Sequence, residues 1–146
     1  MALLISPTRE LAVQIQTVAQ PFIASVPGCH LTGLIGGTDV AADVARVRQG
    51  ATCVVGTPGR ICDVLNRAEE LSFARFEMLV LDEADRLLEM GFQAQLDTIM
   101  GRLPRQRRTG LFSATQTVRL PARTPPRAKP AARRTAAPMC GGNISC

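Results

Sequence analysis

The stretch that decides the fold is Met78-Leu79-Val80-Leu81-Asp82-Glu83-Ala84-Asp85. Four apolar residues, the length of a short buried strand, run directly into a group of carboxylates. In open α/β sheets, ligands bind at the carboxyl ends of the strands. An acid in that position can hold Mg²⁺ through water, and a neighbouring acid can orient an attacking water. The same pattern also fits a strand whose terminal acids cap the next helix, because carboxylates favour a helix N-terminus.

The segments on either side alternate between strand-like apolar runs and helix-like spacing of apolar residues. The pattern predicts strands at residues 2–6, 31–35, 52–55, 78–81 and 109–112, and helices at 8–20, 39–49, 58–67, 84–90 and 92–103. Pro21 is expected to kink or end the first helix near residue 20. This alternation predicts an α/β fold with a mostly parallel sheet that is covered by helices on both faces.

The charge of the chain is divided unevenly along its length. The formal charge is +5, but residues 1–117 hold 11 basic and all 12 acidic side chains, whereas residues 118–146 hold six basic side chains and no acid. The second segment also contains five of the ten prolines and no apolar periodicity, which predicts a disordered basic tail. The abrupt shift suggests a change of reading frame or exon, which translation of the coding sequence in other frames would test.

Several functional classes are disfavoured by composition. No apolar run approaches the roughly 18 residues of a membrane span, so no membrane partner is expected. The cysteines at 29, 53, 62, 140 and 146 form no C-x-x-C pair, which favours reduced thiols in an intracellular protein over metal binding. The single histidine, His30, follows a Pro-Gly turn and is expected at the surface.

Three further motifs place backbone amides and polar side chains at helix starts and turns. They are Pro7-Thr8-Arg9-Glu10-Leu11, Gly36-Gly37 and Thr57-Pro58-Gly59-Arg60. Helix N-termini bind phosphates through their free N–H groups, and glycine allows close approach of the backbone. The arginines and the threonine can add contacts to phosphates or 2′-hydroxyls, while almost nothing in these motifs could recognise a base. Each motif taken alone also fits ordinary capping beside a solvated arginine.

In this order and at this spacing, together with Ser113-Ala114-Thr115, the motifs resemble the first core domain of a DEAD-box ATP-dependent RNA helicase. The resemblance covers residues 2–117. It implies an incomplete RecA-like P-loop NTPase domain at 1–117, followed by the disordered tail at 118–146. It also implies a hydrolase that uses ATP and Mg²⁺ and binds RNA. The run at 107–117 is similar to ribosome-assembly members of the family, which implies pre-ribosomal particles as partners and a nuclear or nucleolar location.

The resemblance assigns roles to individual residues. Asp82 would hold the Mg²⁺ of the nucleotide through water, and Glu83 would position or deprotonate the water that attacks the γ-phosphate. Asp85 would bond to the segment that carries Ser113 and Thr115, and so link the nucleotide state to the RNA state. The residues implied in gripping the RNA backbone, without sequence preference, are Pro7, Thr8, Arg9, Glu10, Gly36, Gly37, Thr57, Pro58, Gly59 and Arg60.

One part of that family's ATP site is absent from the sequence. No glycine-rich loop ends in Gly-Lys-Thr or Gly-Lys-Ser, and the one lysine, Lys129, lies in the tail. We therefore expect that these 146 residues alone neither hydrolyse ATP nor unwind RNA. The strand at 109–112 is expected to leave an open apolar sheet edge, which favours self-association. Two alternatives remain: a non-catalytic RNA-binding fragment, and a truncated product without function.

Overall fold

The computed structural model describes residues 1–68 and 75–114, which form ten regular elements. Along the chain they are β1 (Ala2–Ile5), α1 (Arg9–Ala24), β2 (Leu31–Leu34), α2 (Val40–Arg48), β3 (Cys53–Gly56), α3 (Pro58–Arg67), β4 (Met78–Leu81), α4 (Ala84–Glu89), α5 (Gln93–Arg102) and β5 (Arg108–Leu111). The predicted order of strands and helices is confirmed, and every boundary except the end of α1 agrees within one residue. Thr115 and the predicted tail at 118–146 lie outside the described residues.

The five strands form one sheet in the order β2-β3-β1-β4-β5, and every neighbouring pair is parallel. The register is level across the centre of the sheet, where Ile5 lies opposite Gly56 on one side and Leu81 on the other. The segments that leave the carboxyl ends of the strands therefore meet along one edge of the sheet. Within the described residues, this edge carries the motifs that the sequence pattern singled out.

The helices lie on both faces of the sheet. Gly33 faces α1, because a Cβ atom on it would clash with the side chain of Gln16. The next residue, Leu34, points to the opposite face. There it joins the buried core with Val44 and Val47 of α2. On that side α3 packs against both α2 and α5, whereas α1 packs against β2 and β3.

The hydrophobic core explains why these elements form. Strand β3 is buried along its whole length, and the central residues Ile5, Val55 and Leu79 have no exposed surface. Helix α3 is strongly amphipathic and buries Ile61, Val64 and Leu65. Burial of each such side chain stabilises the fold by about 1.5–3 kcal/mol.

The expectation that Pro21 would end the first helix is wrong, because α1 continues through it to Ala24. Proline removes one backbone N–H, here the one that would donate to the carbonyl of Thr17. Thr17, Val18 and Phe22 all lie on the exposed surface of the helix. Water can therefore take the place of the lost bond, and the helix does not need to end.

Strand β5 lies at one edge of the sheet. In the part of the chain that the structure describes, it pairs with β4 alone. Leu111 and the adjoining Phe112 are 44% and 60% exposed. The predicted self-association through this edge stays a prediction. Within residues 1–68 and 75–114, no helix has the length and apolar character needed to cross a membrane.

Candidate functional site

The carboxylates that follow β4 line an open cavity of about 430 Å³ at the carboxyl edge of the sheet, which we call the carboxylate cavity. The Asp82 amide donates to the carbonyl of Ile5 at 2.9 Å, which ties the end of β4 to β1. The Asp82 carboxylate accepts a hydrogen bond from the Glu83 amide at 3.0 Å. Asp82, Glu83 and Asp85 all face this cavity, so the structure brings together the three acids that the sequence analysis selected.

Glu83 has a left-handed backbone, with φ 45° and ψ 53°, and is the one non-glycine residue with positive φ among the described residues. A non-glycine residue in this region costs about 1–3 kcal/mol and needs support from its surroundings. The left-handed conformation of Glu83 turns the chain sharply from β4 into α4. As a result, the side chains of Asp82 and Glu83 both reach the cavity. The Glu83 side chain also accepts a hydrogen bond from Arg86 Nη1 at 3.1 Å, but both groups are largely exposed and the pair is weak.

The end of β5 closes the other side of the carboxylate cavity. The Phe112 amide donates to Leu81 at 2.9 Å, and the Phe112 carbonyl accepts from the Ala84 amide at 3.0 Å. These two bonds hold Ser113 beside the start of α4, where it lines the cavity with Asp85. The structure thus places Ser113 in the same cavity as the acids, whereas Thr115 is not among the described residues.

A second cavity, of about 570 Å³, lies at the carboxyl ends of β1, β2 and β3; we call it the amide groove. Three motifs that are far apart in sequence meet there. The predicted residues that line it are Pro7, Arg9, Gly36, Gly37, Thr57, Gly59 and Arg60. The remaining three predicted residues do not line it: Thr8, Glu10 and Pro58.

Those three residues serve the local fold. The Thr8 hydroxyl accepts a hydrogen bond from the Leu11 amide at 3.2 Å and so caps α1. Glu10 is exposed in the first turn of that helix, where its charge suits the helix dipole. Pro58 is buried at the first position of α3, where the missing N–H is not needed.

The start of α3 differs from the start of α1 in a way that matters for ligand binding. Thr57 occupies the N-cap position of α3, but its side chain makes no capping hydrogen bond. The first-turn amides of a helix have no partner within the helix. Thr57 and Gly59 therefore present a hydroxyl and a helix N-terminus to the amide groove. This arrangement suits an anion such as a phosphate.

Arg60 is more deeply embedded than its motif predicts. Its side chain is 8% exposed, with Nε 3.4 Å from Asp43 Oδ2. Its Nη2 donates to the carbonyl of Thr38. Asp43 is fully buried on α2 and also accepts hydrogen bonds from the Thr38 hydroxyl, at 3.2 Å, and from Arg46 Nη2.

Sequence reasoning missed Asp43 and Thr38. A signal was present, because Asp43 falls on the same helical face as the apolar residues Val40, Val44 and Val47. A carboxylate within an apolar stripe is buried on folding and needs a cationic partner. The sequence did not show that the partner would be Arg60, which lies on another helix.

The buried cysteines are structural. Burial, and to a smaller extent the charge of Asp63, raises the pKa of the Cys62 thiol to about 11. Its Sγ donates to the carbonyl of Gln95 at 3.4 Å, which joins α3 to α5. Burial, followed by the nearby Cys29, also raises the pKa of Cys53. In the described residues, no three His, Cys, Asp or Glu side chains are grouped so that they could hold a metal ion.

Comparison with known proteins agrees with this geometry. A family model described as DEAD/DEAH box helicase matches residues 1–123. The chain belongs to this family. It is 54% identical over 118 residues to DEAD-box ATP-dependent RNA helicase 49 of Arabidopsis thaliana, covering 80% of this chain and 21% of the relative. It is 51% identical over 122 residues to ATP-dependent RNA helicase DDX55 of Homo sapiens, covering 80% of this chain and 20% of the relative.

The DEAD-box assignment extends to solved structures. The structure of Mss116p bound to ssRNA and AMP-PNP matches with a TM-score of 0.69 and 36% identity, covering 78% of this chain and 25% of that chain. This likeness confirms the predicted RecA-like α/β fold. The chain spans about a fifth of the length of the curated DEAD-box relatives that it matches.

Proposed function

We propose that residues 1–114 supply part of the ATP- and RNA-binding core of a DEAD-box RNA helicase. One observation carries this proposal: the carboxylate cavity and the amide groove lie along the same edge of one parallel sheet. The first cavity offers acids, which suit a metal-bound nucleotide. The second offers glycine backbone, a helix N-terminus and arginine, which suit a phosphate backbone. Mss116p, whose structure is similar to this chain, is bound to ssRNA and AMP-PNP in the matched structure, which supports both ligand classes.

The donor set of the carboxylate cavity fits Mg²⁺ better than a metal held by protein ligands alone. Asp82 and Glu83 offer hard oxygen atoms, and no cluster of three ligating side chains occurs among the described residues. Mg²⁺ usually keeps several waters and binds one or two carboxylates together with substrate phosphates. When bound, it would neutralise charge on the nucleotide phosphates. We assign Asp82 to hold the ion through water and Glu83 to orient the attacking water.

On the RNA side, we assign backbone recognition to the amide groove. Arg9 is exposed and lies over Gly36, where its guanidinium can meet a phosphate. The amides near Gly37 and Gly59 and the Thr57 hydroxyl complete the set of donors. None of these groups can distinguish one base edge from another. Single-stranded U, A and C oligonucleotides should therefore bind with affinities within about threefold of one another. A strong preference for one base would contradict the proposal.

For the 146-residue chain alone, we propose that ATP hydrolysis and unwinding are absent. Phosphoryl transfer depends on positioning and on electrostatic stabilisation of the phosphates. The sequence has no Gly-Lys-Thr or Gly-Lys-Ser, and Lys129 is its one lysine. The test is phosphate release with saturating RNA, compared with a Glu83→Gln variant of the same chain. Equal rates are expected, and RNA-stimulated release that the variant loses would overturn this part of the proposal.

A non-catalytic RNA-binding protein is the second candidate. It is favoured because three separate motifs assemble the amide groove within the described residues. The measurement that separates the candidates is RNA affinity with and without ATP and Mg²⁺. A helicase fragment that keeps nucleotide coupling changes its RNA affinity when ATP is added, whereas a passive RNA binder does not.

We also propose an intracellular setting for the protein, in the nucleus or nucleolus, with pre-ribosomal particles as partners. The support is the similarity of residues 107–117 to ribosome-assembly members of the family. Co-sedimentation of the endogenous protein with pre-ribosomal particles tests this proposal. Sedimentation with mature polysomes or with free protein alone would contradict it.

A further inference from the structure

We propose that Asp43 is a positioning residue for the amide groove, and that Arg60 holds a loop in place rather than binding a phosphate. The buried carboxylate of Asp43 would lock the guanidinium of Arg60 against the loop formed by residues 36–38. RNA would then contact a loop that is already in its binding conformation. This inference deepens the proposed function and rests on the amide groove being the RNA site.

The contacts of Arg60 support this role. Its Nη2 donates to the carbonyl of Thr38, and its Nε lies 3.4 Å from Asp43 Oδ2. The Asp43 Oδ1 atom accepts from the Thr38 hydroxyl at 3.2 Å. Thr38 is thus held through both its carbonyl and its side chain by two residues from two different helices. Asp43, Arg60 and Thr38 thus contact one another beside the loop, and Arg46 adds a second cation to Asp43.

Burial separates Arg60 from the exposed arginines nearby. The side chain of Asp43 has no exposed surface, and that of Arg60 is 8% exposed, whereas that of Arg46 is 48% exposed. A guanidinium with so little solvent contact, already directed at a carbonyl and a carboxylate, has little freedom to bind a phosphate. Arg9, which is exposed over Gly36, is better placed for that contact.

The buried carboxylate of Asp43 and the guanidinium of Arg60 depend on each other for stability. A buried charge is tolerated when it is paired, and removal of one partner leaves the other uncompensated. Asp43 Oδ2 makes no hydrogen bond within the described residues and faces the guanidinium of Arg60, whereas Asp43 Oδ1 also pairs with the half-exposed Arg46. The loop needs such support because Gly36 and Gly37 have φ of +88° and +90° and few side-chain restraints of their own. Ordering a flexible loop costs conformational entropy, and the clamp would meet that cost before RNA arrives.

The first test compares Asp43→Asn with Asp39→Asn, using the full chain and a fluorescent single-stranded oligo-U. Both variants remove one negative charge from the start of α2, and asparagine caps a helix as well as Asp39 does. If only the loss of one negative charge mattered, both variants would bind RNA more tightly than the wild-type chain. The clamp predicts instead that Asp43→Asn weakens binding by about tenfold, while Asp39→Asn is unchanged or slightly tighter. If Asp43→Asn binds as tightly as Asp39→Asn, the inference is overturned.

The second test separates clamping from direct contact by the salt dependence of binding. Loss of one phosphate contact lowers the slope of log affinity against log salt by about 0.7 for a single strand. Arg9→Met should show that loss. Arg60→Met and Arg60→Lys should weaken binding with no change of slope, because the lost group touches the loop and not the RNA. A slope for Arg60→Met that falls as it does for Arg9→Met would overturn the inference.

A third measurement does not depend on RNA. Amide hydrogen exchange at residues 36–38 should be about tenfold faster in Asp43→Asn and in Arg60→Lys, and unchanged in Asp39→Asn. If the wild-type chain binds no RNA, the proposed function fails while this exchange result still decides whether the clamp exists. If Asp43→Asn does not fold, Arg60→Lys carries the test, since it keeps the charge and loses the planar fork. Unchanged exchange in the folded variant would reject the clamp.

Discussion

The guanidinium of Arg9 lies directly over Gly36, so that a Cβ atom at Gly36 would be 3.1 Å from Arg9 Nη2. Gly36 therefore serves two purposes. It adopts a φ of +88°, which other residues rarely do, and it leaves space for the arginine above it. This relationship joins the first and second predicted motifs into one surface.

The first prediction concerns Gly36→Ala. The variant should lose about 1–2 kcal/mol of stability from its left-handed backbone, and it should weaken RNA binding because the methyl group displaces Arg9. Gly28→Ala is the matched control, since Gly28 has φ +75° with nothing within 4 Å of the added atom. Both variants should lose stability in urea titrations, and Gly36→Ala alone should lose RNA affinity. Equal RNA affinity for the two variants would show that Arg9 does not need its place over Gly36.

The second prediction concerns the strained backbone of Glu83. Replacement by glycine removes the Cβ that disfavours φ 45°, so Glu83→Gly should raise the free energy of unfolding by about 1 kcal/mol. Glu89→Gly, at the last residue of α4 and with an ordinary helical backbone, should lower it by a smaller amount. Urea denaturation of both variants provides the comparison. A loss of stability in Glu83→Gly similar to that in Glu89→Gly would mean that the left-handed turn stores no strain.

The third prediction concerns thiol reactivity. The thiolate is the reacting form of cysteine, and burial keeps Cys62 and Cys53 protonated. At pH 8 a thiol reagent should modify Cys29 well before either of them, as followed by mass mapping of peptides. The rate at Cys62 should rise as the pH approaches about 11. Modification of Cys62 as fast as Cys29 at pH 8 would contradict the packing between α3 and α5.

The fourth prediction concerns stability at high pH. Because the pKa of Cys62 is raised to about 11 in the folded state, the native chain keeps a proton that the unfolded chain loses from about pH 9. The unfolded state then binds fewer protons, so stability is fully present below about pH 9 and falls as the pH rises towards 11. A Cys62→Ala variant should show a shallower fall over the same window in thermal melts. Parallel curves for the two proteins would contradict the assignment.

The order of the elements was accessible from the sequence because each element carries its own local signal. The apolar runs at 2–6 and 78–81, the cap at Thr8 and the proline at the start of α3 each mark a boundary without help from the rest of the chain. Pro21 was misjudged for the converse reason. Its effect depends on whether the freed carbonyl meets water or protein, and that is a property of the folded surface.

Some features of the site can be predicted from the sequence and others cannot. The difference depends on whether a feature follows from the arrangement of the strands or from a contact between residues that are distant in sequence. Convergence of the acids with Ser113, and of the three motifs in the amide groove, follows from the carboxyl ends of parallel strands meeting at one edge. The pairing of Arg60 with Asp43 joins residues on separate helices, and no spacing in the sequence encodes it. The left-handed backbone of Glu83 was equally hidden, because glutamate carries no preference for that conformation.

The most direct test of the central claim is RNA binding by the full chain after all six basic residues of 118–146 are replaced by glutamine. This substitution leaves the amide groove intact and removes the other concentration of positive charge. We predict that single-stranded RNA still binds, with a measurable salt dependence, and that adding Arg9→Met to this variant lowers both the affinity and the salt slope. Loss of all binding when the tail is neutralised would contradict the account, because the groove would then hold no RNA.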